Sequence, residues 1–323
     1  MQEQKQVTAA SSPLDKLRSK NITDSTYNLY AKNLLKLNGK KEIRNLNFLK
    51  NVEKNVEKIS HLKPNTRRTY VISIVSLLKE EPSQRKLYDK YYKILLEYNN
   101  ALKVNNTKSD TQKENWMTSE QVSNIFEKLQ KETEPLLQNK KWTEEEYNTY
   151  QSFVILALYV LNPPRRNMDY QLMKIVPKYS DGMDRSANYL DIEAKQFVFN
   201  NYKTAKTYQT QRVEIADSLF EIINSFLKFH PLKKELLKKK YMVNFLVTQD
   251  GQPFKSPNAM TRILNKVFHK KLGCSMLRHI YLTDKYGEQS DALQKDAISM
   301  GTSIPTIQNQ YIKESSPIES NPQ

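Results

Sequence analysis

The chain has 323 residues, enough for two ordinary domains and a substantial core. Its 51 Lys and Arg outnumber 35 Asp and Glu, giving a formal charge of +16 that points to a polyanionic partner, nucleic acid ahead of a membrane surface. One cysteine excludes a disulfide framework and a Cys-rich zinc site, six glycines form no nucleotide phosphate loop, and four histidines show no ligand spacing.

The N-terminal "MQEQKQVTAASSPLDK" lacks the apolar stretch of a secretory signal, so a soluble intracellular protein is expected. Residues 1–20 are polar and read as a loose leading segment. From Thr23 the pattern turns helical. "TDSTYNLYAKNLLKLNG" has a capping start and Gly39 at its stop, and "KPNTRRTYVISIVSLLKEE" reads as a helix capped by Asn65 or Thr66. "SQRKLYDKYYKILLEYNNALKV" makes a third helix, and no strand signal intervenes, so residues 21–104 are expected to form a helical bundle. Arg67 and Arg68 fall on the first turn of the second helix, where cations oppose the helix dipole. Either a DNA phosphate relieves that conflict or the helix start is simply solvated.

"NNTKSDTQKENW", residues 105–116, holds almost nothing to bury and reads as a linker. A second domain, residues 117–313, opens with Thr118 and Gln121 in capping-box spacing. "WTEEEYNTYQSFVILALYVL" follows, capped by Thr143 and Glu146. Its apolar end is too short to span a bilayer and is expected to be a buried helix. "NYLDIEAKQFVFNNYKTAKTYQTQRVEIA" alternates in a way that predicts a small antiparallel sheet of three strands, with Lys203 and Lys206 in the hairpin between the second and third. Helices return after Asp217, interrupted by the extended "NFLVTQDGQPF" turning at Asp250-Gly251. The "KKELLKKK" run reads most simply as a solvated helix face, with a nuclear-import signal as the alternative. Residues 314–323 form a short tail.

Two places put cations beside buried helices. In "LYVLNPPRRNMDY" the prolines stop a helix near Asn162 and deliver Arg165 and Arg166, with Asp169 three residues past Arg166 so that one carboxylate can orient one guanidinium. In "CSMLRHIYLTDKYG" apolar residues cover almost every side of the helix, yet Arg278 and His279 sit in its middle. A guanidinium there is costly unless an anion meets it. Tyr311, in "SMGTSIPTIQNQYIK", is one of 19 tyrosines and gains meaning only from its context.

The order Arg-x-x-Asp, hairpin Lys, Leu-Arg-His and Gly-x-Ser followed by a Tyr nine residues after x resembles the tyrosine recombinase (phage-integrase) family across nearly the whole chain. "NPPRRNMDY" and "YKTAKTY" look most like integrases of virophages and related mobile elements of giant viruses. The resemblance implies a mainly α chain: a helical core-binding domain that clamps DNA, then an α+β catalytic domain. It implies Arg166 and Arg278 as a phosphate clamp, with Asp169 supporting the first and Arg165 in reserve. Tyr311 would be the nucleophile and Lys206 the general acid, with Lys203 in reserve. Ser275 and Thr302 stand where the family usually has histidine, or histidine or tryptophan, and a hydroxyl donates but is no base near neutral pH. His279 either compensates or is structural. The family implies no metal and no ATP, double-stranded DNA as partner, and a homotetramer on two paired sites from a protein that is monomeric or dimeric when free. A virus factory, host cytoplasm or nucleus would all fit. The rivals are type IB topoisomerase-like DNA relaxation and a DNA-binding descendant that has lost catalysis.

Overall fold

The computed structural model describes residues 12–20, 22–103, 108–238, 242–300, 304 and 307–308, so Thr302, Tyr311 and the tail lie outside the described residues. It is mainly helical and divides into two compact units between Lys108 and Ser109.

The first unit holds α1 (Pro13–Arg18), α2 (Asp24–Leu37), α3 (Val52–Ile59), α4 (Pro64–Leu78) and α5 (Arg85–Lys103). The leading segment is not uniformly loose. Ser12 and Asp15 form a reciprocal capping box around Pro13, and the short helix they start buries Leu17 completely. α2 runs from a Thr23 cap and ends before Gly39, whose φ of +66° reverses the chain. α4 begins earlier than expected, with Lys63 as cap and Pro64 in the first turn, where a missing N–H costs nothing. α4 and α5 pack together over Val71, Ile74, Leu78, Tyr91 and Leu95. α3 was not foreseen: Asn51 caps it, and Asn55 on its inner face donates to the buried Tyr91 hydroxyl.

The second unit starts inside the stretch read as linker, because Ser109 and Gln112 form a capping box for α6 (Asp110–Asn115). α7 (Ser119–Thr133) and α8 (Glu144–Val160) start at the Thr118 and Thr143 capping boxes. α8 is the central post: Phe153 to Tyr159 are buried without interruption, against α7 and the later helices α11 (Asp217–Lys228) and α13 (Ala259–Phe268). Among the described residues no helix is long and apolar enough to cross a membrane. α9 (Asn167–Gln171) leads into the sheet.

The sheet has five strands, not three, and is mixed. β1 (Lys174–Val176), β2 (Tyr189–Asp191), β3 (Gln196–Phe199), β4 (Gln211–Glu214) and β5 (Val243–Asn244) lie in the order β4-β3-β2-β1-β5. The expected antiparallel trio is β2-β3-β4. β1 pairs with β2 in parallel, which the long connection over residues 177–188 permits, and β5 adds an antiparallel edge. Strands of three and two residues are too short to show alternation in a sequence. The β3–β4 connection is no tight hairpin either, since it carries α10 (Ala205–Tyr208). α12 (Lys233–Leu237) precedes β5, and α14 (Cys274–Ser299) closes the described fold.

Candidate functional site

α8 ends at Val160 because Pro163 and Pro164 cannot extend it, and the chain turns through Arg165 and Arg166 into α9. α9 is fixed by Asn167. It accepts from the Tyr159 hydroxyl (2.6 Å) and donates to Thr261 Oγ1 on α13 (2.8 Å). The same threonine sets the start of α14: a Cβ on Gly273 would lie 3.1 Å from Thr261 Cγ2, so glycine lets the two helices meet closely. These anchors bring the first turn of α14 beside α9.

There the chain forms a concave cleft of about 350 Å³, lined by Arg165, Arg166, Asp169, Arg278 and residues of the β3–β4 connection. Arg166 and Arg278 are both half-buried, and among the described residues neither makes a side-chain hydrogen bond or ion pair. Their convergence also registers on the half-buried Cys274 thiol. Burial pushes that thiol up, while Arg278 and Arg166 pull it down and Asp169 pushes it up.

Asp169 does not serve Arg166 in the expected way. Its carboxylate accepts from Arg165 Nε at 3.1 Å, the i,i+4 partner, while Arg166 reaches it through a backbone hydrogen bond and the weaker pull of its charge. Burial raises the Asp169 pKa above its ordinary value, with Arg165 acting in the opposite sense. Arg165 is thereby committed: its Nη1 donates to Gln211 Oε1 (2.9 Å), and its guanidinium lies 3.8 Å over Phe199 and 5.0 Å from the Tyr202 ring centre. These partners occupy the Arg165 guanidinium, whereas Arg166 has no such partners among the described residues.

Lys203 and Lys206 are exposed on the β3–β4 connection, Lys206 on α10 between Thr204 and Tyr208, two residues that line the cleft. A short helix rather than a β-turn carries the ammonium. Ser275 and His279 lie one turn apart on the exposed face of α14, outside the cleft lining. α14 is not covered on almost every side: Met276, Leu277 and Ile280 are buried, whereas Leu282 and Tyr286 face out. In the first unit, Arg68 Nε donates to Asn99 Oδ1 and the Arg67 guanidinium stands 5.7 Å from the Tyr98 ring centre, so α5 answers part of the conflict at the start of α4.

Sequence reasoning missed Asn188. Its Nδ2 donates to the carbonyls of Asp169 (2.8 Å) and Asn201 (2.9 Å), and its Oδ1 accepts from the N–H groups of Asn200 (2.9 Å) and Asn201 (2.8 Å). One buried amide thus ties α9 to the root of the β3–β4 connection with its hydrogen-bonding capacity fully used. No local pattern marks such a residue. The Arg165–Asp169 pair, by contrast, could have been read from its i,i+4 spacing. No known family model matches this sequence, and no curated protein sequence matches it either.

Proposed function

We propose that the protein is a site-specific DNA strand transferase of the tyrosine-recombinase kind, acting on double-stranded DNA. One observation supports this above the others: Arg166 and Arg278, distant in sequence, line one cleft, half-buried and, among the described residues, without a side-chain hydrogen bond or ion pair. A phosphodiester supplies the missing charge, its non-bridging oxygens taking charge-assisted hydrogen bonds from both guanidiniums.

In this reading the Tyr311 hydroxyl attacks the phosphorus, forming a 3′-phosphotyrosyl ester as the bond to the 5′-oxygen breaks. Lys206 gives its proton to that departing oxygen, and the tyrosine proton passes to solvent. The two cations stabilise charge gathering on the phosphate, which a tyrosine of ordinary pKa about 10 requires. The ester keeps the bond energy, so a second strand's 5′-hydroxyl can reverse the step and join DNA in a new order without ATP. Arg67 and Arg68 add phosphate contacts from the first unit, and exchange on two duplexes calls for four protomers. The virophage-type placement belongs to the same proposal.

The test is direct. In EDTA, the protein is mixed with nicked DNA fragments from its own element and host, quenched with detergent and assayed for protein-linked DNA beside Tyr311→Phe. An adduct confined to the unaltered protein supports the reading. Adducts with both move the nucleophile elsewhere, with Tyr208, exposed on the cleft wall, the first to replace. Salt-sensitive binding with no adduct from either leaves a DNA-binding descendant. Relaxation of supercoils by a monomer, with no dependence on paired sites, leaves a topoisomerase.

A further inference from the structure

The β3–β4 connection, residues 200–210, is held more firmly than an exposed loop needs. The Tyr202 hydroxyl donates to the Gln209 carbonyl (2.7 Å), closing the segment across α10. Gln209 itself sits at φ +56°, a conformation that side-chain-bearing residues adopt at a cost and keep only where neighbours impose it. Thr210 donates to Asn200 Oδ1 (2.9 Å), joining the two ends. Asn188 fixes the first end through the N–H groups of Asn200 and Asn201.

The second end is fixed by Arg165, through Nη1 to Gln211, the first residue of β4. Arg165 also grips Asp169 on α9, one turn from the arginine that faces the cleft, and stacks on Phe199 at the end of β3. It therefore touches both walls of the cleft: the one that presents Arg166 and the one that carries Lys206.

We propose that Arg165 is a positioning residue that, through Gln211, holds the Lys206-bearing connection in register with the Arg166–Arg278 clamp. This rests on Lys206 being the general acid. Gln211 is where the two roles of Arg165 separate, since removing its carboxamide cuts the tether and leaves the Arg165–Asp169 pair in place.

The experiment uses the full chain with Gln211→Leu, Arg165→Lys and Lys206→Ala on two suicide substrates. One carries the ordinary 5′-oxygen at the scissile phosphate. The other carries sulfur there, whose thiolate leaves without a proton. Misplacing a catalytic group by about 1 Å costs on the order of 100-fold, so Gln211→Leu should lose about 10- to 100-fold in cleavage of the oxygen substrate. On the sulfur substrate it should return to the rate of the unaltered protein, as should Lys206→Ala. Arg165→Lys, which keeps a cation for Asp169 but loses the fork, should follow Gln211→Leu. Equal losses on both substrates for Gln211→Leu, with Lys206→Ala rescued, would overturn the positioning role while leaving the general acid standing. Failure of sulfur to rescue Lys206→Ala would remove the general acid, and the positioning role with it. An unchanged Gln211→Leu rate on the oxygen substrate would also refute the proposal.

Discussion

Inorganic phosphate should stabilise the second unit, and by an amount that depends on Arg278. Each charge-assisted hydrogen bond contributes roughly 1.5–3 kcal/mol, so two guanidiniums meeting one small anion support a dissociation constant of about 1 mM after the cost of immobilising it. At about 100 mM phosphate the folded state would then gain about 2.7 kcal/mol by mass action. For a unit of this size, Ser109–Gln323, that is a rise in melting temperature of about 5–10 °C. Arg278→Ala, losing about 2 kcal/mol of binding, weakens affinity roughly 30-fold and leaves a gain of about 0.9 kcal/mol, or about 2–3 °C. The assay is thermal unfolding in phosphate against sodium chloride at matched ionic strength, for the unaltered protein, Arg166→Ala and Arg278→Ala. Phosphate also stabilises folded chains generally by exclusion from their surface, and that component persists in the variants. Only the difference between proteins therefore counts. Equal phosphate shifts in all three would refute the idea that these arginines face one anion.

Two further outcomes follow from the scaffold. His230 is fully buried, stacks edge-on against Phe226, and is pushed by burial from 6.5 to about 4. Above pH 6.5 it is neutral folded or unfolded and contributes nothing to pH dependence. Between 6.5 and 4 only the unfolded chain takes the proton, so stability falls with pH, by about 2.5 kcal/mol at pH 4.5. Denaturant titrations at pH 7 and 4.5 should show His230→Phe losing less than the unaltered protein by about that amount, and equal losses would refute it. Asn188→Ala should cost about 2–4 kcal/mol, because it strips partners from the buried Asn200 N–H and Asp169 carbonyl and from the part-buried N–H and carbonyl of Asn201. A loss below about 1 kcal/mol in urea unfolding would mean that water replaces the amide.

Much of the helical frame was legible because its signals are local. Thr118 with Gln121 and Thr143 with Glu146 marked helix starts from four residues each, and the paired prolines marked where α8 had to stop. Ser12 with Asp15 carried the same signal and was overlooked within a polar stretch. β1 and β5 were illegible for a different reason: each is defined by the neighbour it pairs with rather than by its own side chains. The burial of α14 was over-read for a third. Leu282 and Tyr286 have the composition of a core helix, but which faces are covered is decided by what packs there.

The tandem Arg165-Arg166 poses a problem that this geometry answers. One carboxylate, Asp169, stands within reach of two guanidiniums and a third arrives on α14, so the charge balance alone would let Asp169 pair with either neighbour. Pairing at i,i+4 takes the carboxylate to Arg165, and Phe199 and Gln211 hold that guanidinium away from any other role. Arg166, placed at the cap of α9, makes no side-chain hydrogen bond or ion pair among the described residues, and neither does Arg278. Among the described residues, the site therefore keeps two guanidiniums without a hydrogen-bonded counter-ion by giving Asp169 to a third. Moving Asp169 one residue would break that arrangement in either direction, whereas Asp169→Asn should weaken the fold through Arg165 first. Retaining positive charge without a hydrogen-bonded counter-ion in a half-buried cleft costs stability, and on the proposed reading a DNA phosphate would offset that cost.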